Sequence, residues 1–429
     1  MTAAGWFRGC AAGLLIALLL GPLVLAAASE QTAGLAELRD WTRQEYSWRD
    51  RGGLPTGTTL TGPLTAHYNM AYGATVLGLN LRDGDLYYAV CASVQQDQLT
   101  ALAHLGPLRQ PVQWHSGPYH LAAGLGDRRL MVWLTAPRQY PRLLTASNRY
   151  VPNTPLSCLV QPPEPLGEDW ERWTVTVVHQ YDDFSPAVAV ETVDGAGRKV
   201  DNLPLLDVFE PLTGLAAATL ELGGQDVTWV LLADGEGVYS GWYDQQRGWR
   251  GQVLHAEDLS GVMLHLPSGP APLHALCWYN DPARDYAGGI VQLIDLDVSS
   301  GQRVSVSWGA SDELPYGLDA PRLAPVESTR SAWPLIALAT DADVHLLYRS
   351  PDADPRRRGL QLSSVRLHYG ARLAGGSGNA AFYPILGLAA AAHWRSGNPE
   401  IYWVQLGSDH ADGGQLFSLS YQPPPSADR

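Results

Sequence analysis

An all-β fold is what this sequence predicts, and three observations carry the prediction. Charged residues make up only 17% of the 429, against 45% hydrophobic, so the chain has the means to bury a sizeable core. Gly (44) and Pro (31) are plentiful, which favours short elements joined by turns over long helices. From about residue 60 onward, short apolar runs alternate with Gly, Pro, Asp and Asn, the punctuation of strands rather than helices. A chain of this length exceeds one ordinary core, but all-β rings and sandwiches often reach it as one folded unit.

Taken from the N-terminus, residues 1–28 read as a targeting segment. Arg8 supplies a positive n-region, Cys10 to Leu25 is an almost unbroken apolar run, and Ala26-Ala27-Ala28 offers the small residues of a cleavage site. An uncleaved membrane anchor is the other reading, because the run approaches the roughly 20 residues that span a bilayer. Gly21-Pro22 and the alanine triplet favour cleavage, and both routes put the rest of the chain outside the cytoplasm. Membrane contact is then expected only through residues 1–28, if they are retained. The net charge of −14 repels phosphate backbones, so nucleic acid is not expected as a partner. Lys199 is the only lysine, an arginine bias that reads as a high-GC, bacterial source.

Residues 29–60 form an N-terminal segment in which Leu35, Leu38, Trp41, Thr42 and Tyr46 have helical spacing, predicting a short helix over 35–49. Residues 61–421 then carry a recurrence: a small-and-apolar strand, often with Trp, a polar turn, and a second strand with aromatic or β-branched residues. Clear copies are Thr228–Leu232 with Gly237–Ser240, His274–Trp278 with Gly289–Ile294, Trp333–Leu338 with Val344–Tyr348, and Ala391–Trp394 with Glu400–Val404. Fainter ones begin near Ala74, Leu130 and Trp173. Units of roughly 40–60 residues match four-stranded propeller blades, and the chain length then gives about seven, with six or eight as the alternatives. A single β-propeller is therefore the expected fold. Two β-sandwiches joined at Pro162-Pro163-Glu164-Pro165 are the alternative, disfavoured because the recurrence crosses that point unchanged. Ring closure is expected to mix strands from both termini, with Ala66–Leu81 as the N-terminal contribution. The tail, 422–429, is proline-rich and expected to be disordered.

Tyr239-Ser240 followed by Asp244-Gln245-Gln246-Arg247-Gly248-Trp249 resembles, loosely, the turn of sialidase-like propellers, in which an acidic turn closed by Trp follows a Y-x-S-type strand. The full aspartate-box pattern is not met, since the Ser and middle Gly are displaced and the Thr is absent. What the resemblance implies is architecture, because such turns are peripheral and structural in that family.

Sequence signatures of catalysis are missing. There is no H-E-x-x-H, G-x-S-x-G, Walker loop or C-x-x-C, and Gly235-Glu236-Gly237 lacks the third glycine of a dinucleotide loop. Catalytic residues are thus unknown, and no cofactor or metal is expected. Asp295/Asp297, Asp341/Asp343 and Asp352/Asp354 place carboxylates on one strand face without a calcium loop, and read as solvated turns. His179-Gln180-Tyr181-Asp182-Asp183 reads as a polar strand end. Three cysteines remain after the leader, and Cys91–Cys158 is the pair expected to bridge if any does. The densest aromatic cluster, Tyr239, Trp242, Tyr243 and Trp249, is the candidate ligand surface, with blade-to-blade packing as its plain alternative. The leading expectation is an exported, non-catalytic propeller binding a cell-envelope protein or a glycan at one ring face. The alternative is a divergent carbohydrate-active hydrolase with acids in the central channel.

Overall fold

The structure, a computed structural model, describes residues 41–136, 139–167, 169–181, 187–207, 211–222, 225–244, 248–255, 261–265, 273–280, 289–296, 303–307, 322–326, 335–339, 343–349, 362–368, 384–392, 398–406 and 413–422. Every element among them is a β-strand except one 3-10 turn, Trp170–Arg172.

Two short strands come first, β1 (Trp41–Glu45) and β2 (Ser47–Asp50). Blade one is β3 (Thr59–Asn69), β4 (Ala74–Asp83), β5 (Leu86–Gln95) and β6 (Gln98–Leu108). Blade two is β7 (Gln113–Gly117), β8 (His120–Gly124), β9 (Leu130–Leu134) and β10 (Arg142–Ser147). Blade three is β11 (Leu156–Gln161), β12 (Thr174–Tyr181), β13 (Ala187–Asp194) and β14 (Lys199–Asp207). Blade four is β15 (Gly214–Leu222), β16 (Gln225–Ala233), β17 (Val238–Asp244) and β18 (Gly248–His255). Blade five is β19 (Gly261–His265), β20 (Leu273–Asn280), β21 (Gly289–Leu296) and β22 (Arg303–Ser307). Blade six is β23 (Arg322–Val326), β24 (Leu335–Ala339), β25 (Val344–Arg349) and β26 (Leu362–His368). Three strands remain, β27 (Ile385–Ala392), β28 (Pro399–Leu406) and β29 (Gly414–Tyr421). Their fourth partner comes from the other end of the chain: β1 pairs antiparallel with β29, Trp41 opposite Tyr421 and Glu45 opposite Phe417.

Within each blade the strands form an antiparallel meander. The first strand of each blade packs against the first strand of the next, and β27 packs against β3, which closes the ring. The chain is a seven-bladed β-propeller.

Its core is a set of seams between blades rather than one central cluster. Ile401 and Trp403 of β28 face blade six, whereas Tyr402 and Val404 face blade one. Likewise Leu77, Leu79 and Leu81 of β4 face blade seven while Val76 faces blade two. Successive strand residues point to opposite faces, and both faces of a blade are covered, so second strands read as unbroken apolar runs. That is why the recurrence was visible in sequence.

Several expectations are corrected here. Residues 41–45 and 47–50 are extended, not helical. Trp41 packs into the seam between blades six and seven and Tyr46 into the seam between seven and one, two places that one helix face does not reach. The propeller therefore reaches back to Trp41 rather than beginning at residue 61. Ring closure uses Trp41–Glu45, and Ala66–Leu81 instead belongs to the first two strands of blade one. Pro162–Pro165 lies in the loop between β11 and β12, inside blade three, so no domain boundary falls there. Cys91 and Cys158 are both free and buried, in β5 of blade one and β11 of blade three. The tail beyond residue 422, the leader, and residues 29–40 lie outside the described residues.

Candidate functional site

At the ring axis, first strands from six blades enclose a cavity of about 590 Å³. These strands lie at the free inner edge of their sheets, or, for β3, touch a neighbouring strand at only one residue pair. Backbone amides and carbonyls without a ladder partner therefore lie along the axis. Among the described residues no Asp, Glu, Lys or Arg lines the cavity; its polar groups are imidazoles, hydroxyls and amides, set among alanine and leucine.

The polar groups are organised at blades one to four. Thr65 of β3 and Ser116 of β7 lie oxygen to oxygen at 2.8 Å, and the Ser116 hydroxyl donates to the Ala66 carbonyl at 3.3 Å. Ser157 of β11 accepts from the Ala217 amide at 3.0 Å, which leaves its own proton for His115 Nε2, 3.4 Å away. His115 Nδ1 in turn lies 3.4 Å from His120 Nε2, the two rings nearly parallel at 13° with centroids 5.6 Å apart. A chain of long hydrogen bonds thus runs from blade four through blade three to blade two. Its last atom, His120 Nδ1, is buried and makes no hydrogen bond; Trp114 Nε1 is also unmet, but its indole stacks on Trp133 in the seam with blade one. An unmet buried donor or acceptor costs about 1–3 kcal/mol, so such atoms mark capacity for another partner.

Local sequence explains the arrangement. His120 opens β8 directly after the Gly117-Pro118-Tyr119 turn, and its ring lies over Gly117, where any Cβ would collide with it. Enclosure first, and then the His67 imidazole, push His115 down to about 4, although part of its surface opens on the cavity. Enclosure and the other two imidazoles hold His120 well below the ordinary range, with the Cys158 carbonyl opposing them. Burial pushes the Cys158 thiol up, so it stays neutral. In the β7–β8 turn, the Tyr119 hydroxyl donates to the Met70 sulfur at 3.3 Å and the ring meets Trp173 edge-on, leaving Met70 exposed.

The sequence-derived candidates lie elsewhere. Tyr239, Trp242, Tyr243 and Trp249 sit on β17 and β18, the outer half of blade four, and none lines the axial cavity. Tyr239 and Trp249 pack against the seam with blade three. Trp249 lies across Gly241 and Gly251, where a Cβ on either would strike the indole. Trp242 is half-buried and paired with Trp229 on one side and Arg250 on the other. Tyr243 is paired with Trp249 along the backbone.

The other polar runs also have structural partners. His179 is fully buried in β12 with Nδ1 2.9 Å from the Gln180 carbonyl and Nε2 3.1 Å from Glu191. Burial alone would raise Glu191, but His179, Ser147 and Lys199 outweigh it and hold the carboxyl down at about 2. Gln180 accepts from the Leu212 amide, tying blade three to blade four. Asp343 pairs with Arg366 at 3.4 Å, while Asp182, Asp183, Asp297, Asp341, Asp352 and Asp354 lie outside the described residues. Sequence reasoning passed over His67, His115 and His120. The signal available was the absence of charge from the interior of the first strands, which sets them apart from the blade edges.

No protein-family model matches the chain, and no curated protein matches it in sequence. Among solved structures, the β-propeller domain of Cps50 (Swd1) from Myceliophteria thermophila aligns with a TM-score of 0.45 at 9% identity, covering 84% of this chain and 98% of that one. The fucose-specific lectin from Aleuria aurantia, in a mercury-derivative form, aligns with a TM-score of 0.44 at 10% identity, covering 72% and 97%. Neither similarity transfers a residue role.

Proposed function

We propose that this propeller is an exported binding protein that takes an uncharged, hydroxyl-rich ligand, a glycan, into its axial cavity. The observation that carries the reading is the neutral, hydrogen-bonding lining of a 590 Å³ space. That volume falls within the roughly 300–1,000 Å³ typical of small-molecule sites. Sugar hydroxyls both donate and accept, and neutral imidazoles, serine and threonine hydroxyls and edge-strand backbone groups do the same. Glycoside hydrolysis needs a pair of carboxylates, and the lining supplies imidazoles and hydroxyls instead, so holding a sugar fits it better than cutting one. Export rests on the leader read in residues 1–28.

The test is a glycan-array screen of residues 29–429 with two variants beside the parent. Ala216→Phe fills the cavity from the blade-four wall, and Trp242→Ala alters the peripheral aromatic cluster. Binding by the parent and by Trp242→Ala, lost in Ala216→Phe, supports the axial site. Loss in Trp242→Ala alone returns the site to blade four. No binding by any of the three overturns the glycan reading and turns the search to a cell-envelope protein.

A further inference from the structure

We propose that the axial cavity takes an amphipathic glycoside, a sugar carrying a short aliphatic chain, with its hydroxyls against blades two and three and the chain against blades six and seven. This deepens the binding reading and rests on it, since it names the kind of glycan that the same cavity selects.

The selectivity comes from the side chains of the first strands. Backbone groups at the free inner edges line the axis all the way round, so they do not distinguish one side from another. Side chains do. Among the described residues, every polar side chain of the lining comes from blades one to four. The linked groups Thr65, Ser116, His115 and Ser157 all belong to blades one to three. Blades six and seven contribute Leu323, Ala324 and Pro325 of β23 and Leu388, Ala389 and Ala390 of β27, with no polar side chain among them.

The two kinds of wall face each other. Blades follow one another in order round a ring of seven, so blade six stands across the axis from the boundary between blades two and three. That boundary is where Ser157 meets His115. The aliphatic wall is also open to a ligand, because Leu323, Pro325 and Ala390 are only partly buried. Proline is tolerated in a sheet where its nitrogen faces away from the ladder. Pro325 therefore presents ring carbons towards the axis, at a place where other residues would present an N–H.

A bare sugar uses only half of such a cavity. Its hydroxyls radiate from every edge of the ring, and those turned towards blades six and seven would leave water for a wall without a polar side chain. An aliphatic chain in the same place gains by leaving water. No aromatic side chain lines that wall among the described residues, so nothing there favours an aryl group over an alkyl one.

The experiment measures binding to residues 29–429 by calorimetry. The probes are methyl, butyl and hexyl glycosides of glucose, galactose and mannose, kept below their micelle concentrations, with hexanediol as an amphiphile that has no sugar. Affinity should rise by about fourfold for each methylene taken into the cavity. The heat-capacity change should grow more negative with chain length, the mark of apolar burial. Leu323→Asn places an amide on the aliphatic wall and should remove most of the gain with chain length. Ala390→Ser makes a milder change of the same kind, should the first variant fail to fold.

Methyl and hexyl glycosides that bind alike would overturn the proposal and leave the glycan reading standing. A gain with chain length that persists unchanged in both variants would overturn it too, because the chain would then lie elsewhere. Binding of hexanediol, weakened in the variants, with no glycoside bound would overturn the sugar half together with the glycan reading, and the two-faced cavity would stand. No binding by any probe would overturn both.

Discussion

The seam that closes the ring and the wall that faces the axis are both built across blade boundaries from polar and aromatic groups, yet they use them in opposite ways. Between blades seven and one, the Tyr402 hydroxyl donates to Glu400 at 2.5 Å, and Ser420 donates to the other carboxylate oxygen at 3.2 Å. Tyr46, one residue beyond the closing strand β1, shares a 2.9 Å bond with Ser418 and packs on Tyr402. Around the axis the bonds at His115 stretch to 3.4 Å, and His120 Nδ1 goes unmet. The closing seam saturates its polar groups, since each unmet one costs stability, whereas unmet buried atoms occur at His120 Nδ1 on the axial wall and also within blades at Trp229 Nε1, Ser240 Oγ and His345 Nε2. Of these atoms, His120 Nδ1 belongs to a residue that lines the cavity, where a ligand can reach it. The contrast predicts that substitutions at the first region unfold the protein, and that those at the second change what it binds.

The largest effect belongs to Trp403→Ala. Trp403 is fully buried between His368, at 4.9 Å, and Phe417, at 5.6 Å, so truncation opens a large cavity in the seam between blades six and seven. Losses for such substitutions run to about 3–5 kcal/mol. Urea denaturation measures it, and a loss below about 1 kcal/mol would show that the seam does not hold the ring.

Tyr402→Phe comes next. It leaves one oxygen of a buried carboxylate without its donor, and bonds to charged groups contribute about 1.5–3 kcal/mol. Ligand binding at the axis should survive unchanged under conditions where the variant remains folded. A variant as stable as the parent but impaired in binding would invert the assignment of the two regions.

Acid should destabilise the ring through its buried imidazoles. Burial, with Arg366 adding to it and Asp343 opposing, depresses His345 in β25 to about 4, and His115 shares that direction. For a histidine depressed on folding, the unfolded chain takes up protons first, so its contribution is complete above the unfolded value of 6.5. That contribution declines as pH falls from 6.5 towards 4. His345 is nearly buried, which supports a decline of about 2 kcal/mol after allowing for residual solvent access. Glu191, held at about 2, stabilises above 4.5 and adds its own loss only between 4.5 and 2. Stability measured against pH in His345→Gln should be flatter than in the parent between 6.5 and 4.5. Parallel curves would mean that His345 carries none of the dependence.

The two regions also differed in how legible they were. Blades were readable because β16, β24 and β28 carry apolar runs buried on both faces, Trp229–Ala233, Leu335–Ala339 and Ile401–Val404. The same rule misled in places. The copy at Ala391–Trp394 falls on β27, the first strand of its blade, where the other clear copies begin on second strands, and Leu130–Trp133 is the third strand of its blade. The closing strand was hidden because Trp41 and Tyr46 serve different seams, and their spacing imitates one face of a helix. The aromatic surplus drew attention to blade four, where Trp249 lies on Gly241 and Gly251 and packs against a seam. The axial wall was nearly silent: His115 and His120 face each other across the β7–β8 hairpin and His67 comes from the neighbouring blade, but no known motif marks that spacing.

His115→Gln at neutral pH should have the smallest effect on stability and sharpens the comparison most. The glutamine amide accepts from Ser157 and donates onward as imidazole does, and the bonds it replaces are long, so the change should stay within about 1 kcal/mol. Binding of the glycan selected on the array should nevertheless fall by about tenfold, because the flexible amide keeps the two bonds to protein but loses the flat ring that the imidazole presents to the cavity. Calorimetry of folding and of binding on the same preparation separates the two quantities. A variant that loses several kcal/mol of stability with binding intact would make His115 another seam residue. The distinction between a saturated closure and an unsaturated wall would then fail at the residue where it is drawn most sharply.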